Sequence, residues 1–157
     1  MTEGIHHAAR TVSEMARALR FYRDLLGLET IVDEELSGEA IERQTGLSGA
    51  KLRAVVLGSG SRPPFLELIE YLEPVGRGMR GDELPSDVGA HHVAFTVRDI
   101  GSEYELLTAA GVGFTSPPQE VEDGFFTGDR VAYCYDPDGL IVELWEVAPT
   151  RDPLGSV

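Results

Sequence analysis

The sequence predicts an α+β fold made of two βαβββ modules in tandem, and three observations predict it. Residues 5–12, I-H-H-A-A-R-T-V, recur as A-H-H-V-A-F-T-V at residues 90–97, an offset of 85. Phe65-Leu66-Glu67-Leu68-Ile69-Glu70 recurs as Ile141-Val142-Glu143-Leu144-Trp145-Glu146, an offset of 76. Between each opening and closing segment lies one stretch of helical periodicity followed by strand-like runs.

The first module spans residues 4–73. Its opening strand leads into a helix from Ser13 to Leu26, with Ser13 as N-cap and Gly27 as the stop. Met15, Ala18, Leu19, Tyr22, Leu25 and Leu26 follow helical spacing there. Strands are expected over Leu28–Val32 and Leu52–Leu57, and residues 33–50 form an insertion without an assigned structure. Pro74 to Gly89, rich in Gly, Pro and charge, is the linker. The second module spans residues 90–148. Its helix runs from Asp99 to Ala110, with Asp99 or Ser102 as start and Gly111 as stop. Strands are expected over Gly113–Thr115 and Arg130–Tyr135, and Asp136-Pro137-Asp138-Gly139 turns the chain into the closing strand. Cys134 falls on a core strand, as packing rather than as a nucleophile. Residues 148–157 read as a loose tail.

At 157 residues and 42% hydrophobic, the chain suits a single domain over 1–157. It contains no run of the roughly 18 apolar residues that a membrane span needs. The start, M-T-E-G-I-H-H, lacks a basic and then apolar leader, and one cysteine excludes an internal disulfide framework. A cytoplasmic protein without membrane partners is expected. The net charge of −14 argues against nucleic acid, whose phosphates demand a basic patch. It also disfavours polyanionic substrates such as coenzyme A esters.

Strand alternation separates the chemistry from the core. In residues 91–97, His91, Val93, Phe95 and Val97 suit the face under the helix, leaving His92, Ala94 and Thr96 on the other. The same phase puts His7, Ala9 and Thr11 on the open face of the first strand. In the closing strands, Glu67, Ile69 and Tyr71 share that face, as do Glu143, Trp145 and Val147. Each module thus offers one histidine and one glutamate on the face that the helix leaves free. A lone histidine is more often a surface or packing residue, but the same pair at the same element, twice, argues for a shared site. Two imidazoles and two carboxylates suit one divalent transition-metal ion (Zn, Ni, Co, Mn or Fe) and leave positions for water or substrate.

These motifs, with F-Y-R-D-L-L-G-L at residues 21–28 and Y-D-P-D-G-L-I-V-E-L at 135–144, resemble the vicinal-oxygen-chelate superfamily of glyoxalases, bleomycin resistance proteins and extradiol dioxygenases. The resemblance covers residues 4–148. It implies a cupped eight-stranded mixed sheet with helices on the convex face, and a metal held by His7, Glu67, His92 and Glu143. His6 and His91 fall on adjacent positions that the family does not use as ligands. The ligand set is nearest in pattern to glyoxalase I and methylmalonyl-CoA epimerase. The Asn-Trp-Gly that usually follows the glyoxalase I glutamate is replaced here by Leu68-Ile69-Glu70-Tyr71. Arg10 also departs from the pattern, standing where an apolar residue like Phe95 is expected.

The resemblance implies a metal-dependent lyase or isomerase that stabilises an enediolate of a small substrate with vicinal oxygens. Glu143 or Glu67 would move the proton, and Glu42 is a further positional candidate. Trp145 and Tyr71 would line the substrate site. Arg77 and Arg80 would clamp an anion at its mouth, unless they are ordinary surface arginines. One alternative is an Fe(II) or Mn(II) dioxygenase of the extradiol type, against which stands the lack of a further His or Tyr near the ligands. The other is a drug-sequestering protein of the bleomycin-resistance type. Exposed sheet edges, together with the resemblance, imply a homodimer.

Overall fold

A computed structural model describes residues 1–79 and 84–149. The chain divides between residues 80 and 81 into two compact units. The first contains β1 (His7–Thr11), α1 (Met15–Leu19, continued by wider π turns over Arg20–Leu25), β2 (Glu29–Ser37), α2 (Glu39–Thr45), β3 (Lys51–Gly58) and β4 (Phe65–Glu73). The second contains β5 (His92–Thr96), α3 (Ile100–Ala109), β6 (Gln119–Glu120), β7 (Arg130–Tyr135) and β8 (Ile141–Glu146). Each unit is a four-stranded mixed sheet, ordered β1-β4-β3-β2 in the first and β5-β8-β7-β6 in the second. In both, the opening strand pairs parallel to the closing strand, and the remaining pairs are antiparallel. The repeat seen in the sequence is therefore a repeat of topology.

The cores follow the alternation. In the first unit Leu66, Leu68, Val55 and Leu57 are buried on one face with Met15, Ala18, Phe21 and Tyr22 of the helical segment. Val142, Leu144, Ala132 and Cys134 do the same in the second with Ile100 and Leu107. Burying each such side chain is worth about 1.5–3 kcal/mol for the larger aliphatics.

Four details differ from the sequence reading. The helix expected from Ser13 is flanked by Glu14 at the cap position, with no side-chain cap; the N–H of Met15 instead donates to Oε2 of Glu70 on β4, 3.1 Å away. That helix also widens into π geometry after Leu19, which heptad-like spacing does not reveal. Residues 33–50 hold the second half of β2 and the helix α2. Finally, Gly113–Thr115 is no strand: Phe114 makes one isolated bridge to Cys134, and the edge strand is the two-residue β6.

Arg10 has a place in this core. It is 2% exposed, its Nη1 donates to the hydroxyl of Tyr22 at 3.0 Å, and its guanidinium lies 6.0 Å from that ring's centroid. The first unit thus packs a cation on an aromatic ring where the second places Phe95.

Candidate metal centre

In the first unit, β1 and β4 run parallel with Ala9 opposite Glu67, so His7 and Glu67 stand on one face of adjacent strands. His7 Nε2 lies 3.3 Å from Glu67 Oε2. In the second unit, Ala94 is opposite Glu143, and His92 Nε2 lies 3.1 Å from Glu143 Oε2. The same two strands, in the same register, produce the same pair twice. The exposure pattern supports the phase: His92, Ala94 and Thr96 are exposed while Val93 and Phe95 are half-buried. The helices lie over the other face. Glu146, three residues beyond Glu143 and so on the helix side, accepts from the backbone N–H of Ile100 at 2.6 Å, as Glu70 does from Met15.

The donor sets fit a transition metal. Bonds of about 2.0–2.2 Å to nitrogen and oxygen put neighbouring donors about 3 Å apart at right angles, close to the separations in both pairs. Glu143 supplies a second argument. Its side chain is only 7% exposed, against 25% for Glu67. Burial raises its pKa above the ordinary carboxylate value, an effect only partly offset by His92. A buried carboxylate between Val142 and Leu144 is costly without a cation to compensate it. Among the described residues, no group of three or more metal-binding side chains is gathered.

The structure adds neighbours that the sequence reading missed. Tyr133 on β7 is in register with Glu143, and its ring centroid is 5.2 Å from that of His92. Its pKa is raised, first by burial and then by the charge of Glu143, so the phenol stays protonated at neutral pH. His6 lies against His7, with their Nδ1 atoms 2.9 Å apart. The expectation of no further His or Tyr near the ligands is therefore wrong. Tyr133 was open to inference: folding the chain back at Asp136–Gly139 puts position 133 opposite 143 on the Glu143 face.

The proposed substrate-side residues divide. Trp145 stands on the Glu143 face; its indole N–H donates to Oδ2 of the fully buried Asp129 at 2.6 Å, and its ring meets Phe126 edge-on at 5.0 Å. Tyr71 is half-buried on the Glu67 face of β4. Glu42 is half-buried on α2. Arg77 is exposed, outside any helix or strand, and makes no hydrogen bond or ion pair among the described residues. Arg80 lies outside the described residues.

The chain belongs to the Glyoxalase/Bleomycin resistance protein/Dioxygenase superfamily, whose family model matches residues 4–144. A 2-epi-5-epi-valiolone epimerase from Actinomyces sp is 32% identical over 146 residues, 89% of this chain and 77% of that protein. A probable chloroplastic lactoylglutathione lyase from Arabidopsis thaliana is 27% identical over 96% of this chain, which spans only 38% of that longer protein. Among solved structures, a glyoxalase family protein from Bacillus cereus superposes with a TM-score of 0.81, covering 94% of this chain and 96% of its own, at 21% identity. That last likeness is one of fold. No helix among the described residues is long and apolar enough to cross a membrane.

Proposed function

We propose that the chain is a divalent-metal-dependent isomerase of the epimerase kind, acting on a small molecule with a carbonyl beside a second oxygen. His7, Glu67, His92 and Glu143 hold one transition-metal ion. The observation that carries this reading is the His–Glu pair formed twice, at 3.3 and 3.1 Å. When bound, the cation supplies Lewis acidity to the substrate oxygens, which makes the neighbouring C–H acidic and the enediolate accessible.

The protein's own residues do the rest. Glu143, the more buried of the two carboxylates, takes the proton. Epimerisation needs a proton removed on one face and returned on the other. Glu67, the equivalent residue of the other repeat, returns a proton to the opposite face while Glu143 keeps the one it took, and exchange with solvent resets both carboxylates. The protonated phenol of Tyr133 stands beside His92 and donates a hydrogen bond to an oxygen that gains charge. Trp145, locked by Asp129, and Tyr71 present ring faces to the substrate.

The relative named as an epimerase supports this class over the lyase. The test is metal analysis joined to a substrate panel: 2-epi-5-epi-valiolone, thioesters and hemithioacetals. One ion per chain is expected, together with solvent deuterium washed into a ketone substrate at the carbon beside its carbonyl. Two ions per chain, or full occupancy in a His7→Ala/His92→Ala double variant, would overturn the four-ligand site. Tyr133 also favours a second reading, the Fe(II) or Mn(II) dioxygenase of catechol-like rings. Oxygen uptake with a catechol and Fe(II) would establish it, and no uptake would reject it.

A further inference from the structure

We infer that His6 is a positioning residue for His7, accepting the Nδ1–H of that imidazole so that its Nε2 is free to ligate. The inference rests on the metal reading above. A neutral histidine has one proton on its two ring nitrogens, and ligation through one nitrogen places the proton on the other. His7 Nε2 is the atom that faces Glu67, at 3.3 Å. The proton therefore belongs on Nδ1 when His7 ligates, and the atom facing that nitrogen is Nδ1 of His6, 2.9 Å away. Two nitrogens at this distance share one proton, so His6 must then be the acceptor.

His6 is itself held in place. Its carbonyl accepts from the N–H of Phe65 at 2.9 Å, and its ring meets the Phe65 ring edge-on at 5.7 Å. Phe65 opens β4, two residues before Glu67, so the strand that carries the carboxylate also anchors the acceptor for the histidine. Among the described residues, the second unit has no such device. His91 turns its Nδ1 toward the carbonyl of Gly89, at 3.2 Å, and His92 is flanked by Tyr133 instead. The H-H dipeptide occurs twice in the sequence, but among the described residues its first histidine meets the second through Nδ1 in the first unit alone.

The test uses the full chain, zinc titration by calorimetry, and ¹⁵N-detected imidazole spectra of the zinc-loaded protein. Loss of an outer hydrogen-bond partner weakens metal binding about 10–100-fold. His6→Ala is expected to do so without lowering the melting temperature of the metal-free protein, since both histidines are exposed. His6→Asn, whose amide oxygen accepts, should recover most of the affinity. His91→Ala should change it less than about twofold. In the spectra, Nδ1 of His7 should be protonated and Nδ1 of His6 unprotonated and unmetallated. Wild-type zinc affinity with an unchanged His6→Ala variant overturns the inference alone, as does a metallated His6. A wild-type protein that binds no zinc overturns the metal reading first.

Discussion

Glu143 stands between Val142 and Leu144, both fully buried, and its carboxylate faces the imidazole of His92. Its proton affinity follows from that placement, and two consequences can be measured with one substitution. Glu143→Gln keeps an oxygen able to coordinate but no group able to carry the proton, so turnover should fall by at least about a hundredfold while metal stays bound. The second consequence concerns the metal-free protein. Burial raises the pKa in the folded state, so the folded chain holds this proton more tightly than the unfolded one. The associated stability is present below the unfolded value and is lost as pH rises through the folded value. In chelator at pH 7, Glu143→Gln should therefore melt above wild type, and the gap should close as pH falls toward 4. A wild type that melts higher throughout would mean that the carboxylate is held by its neighbours rather than strained by burial.

At the next scale up, helix starts show how the repeat is wired. Glu70 and Glu146 both reach from a closing strand to the first N–H of the helix on the opposite face, fixing each helix against the strand that carries a site glutamate. The second helix adds a cap of its own: Asp99 accepts from the N–H groups of Gly101 and Ser102, each at 3.1 Å, and from the Ser102 hydroxyl at 2.7 Å. Those bonds, led by the Ser102 hydroxyl, hold the Asp99 pKa below its ordinary 3.8. The sign is opposite to that of Glu143. Stability from Asp99 is present above pH 3.8 and lost as pH falls through the lower folded value. Asp99→Ala should lower the melting temperature at pH 7, and the deficit should shrink between pH 5 and pH 3; a constant deficit would assign the effect to helix propensity. Asp99 was readable from the sequence because a cap is a local event, and the placing of one histidine and one glutamate on a common face of each module was readable because strand alternation repeats. Glu70 and Glu146 were not, since their partners lie 55 and 46 residues away. The π turns over Arg20–Leu25 and the burial of Arg10 beside Tyr22 were hidden likewise, both set by packing on the sheet rather than by spacing.

For the whole molecule, the sheet edges govern assembly. Within the first sheet the outer strands are β1 and β2, and within the second β5 and β6. Nine-residue β2 exposes Glu29, Glu34 and Glu35, charges that repel a second copy carrying the same set. The strands β1 and β5 are five residues each and hold no acidic side chain. An unguarded strand edge is what soluble proteins close by pairing or burial, and the net charge of −14 makes two copies repel as they approach. We predict a two-fold homodimer whose contact excludes the β2 edge. Light scattering at micromolar concentration should give twice the 17.1 kDa chain mass, and added salt should tighten the association by screening the acidic excess. A monomer under both conditions rejects the dimer. Mixing inactive His7→Ala with inactive Glu143→Ala then reads out how the ligands are shared. If activity returns, each site takes one module from each chain, since one site of a mixed dimer keeps all four ligands. If the mixture stays inactive while exchange of subunits is verified, each chain completes its own site, and the dimer serves to close edges rather than to build the metal centre.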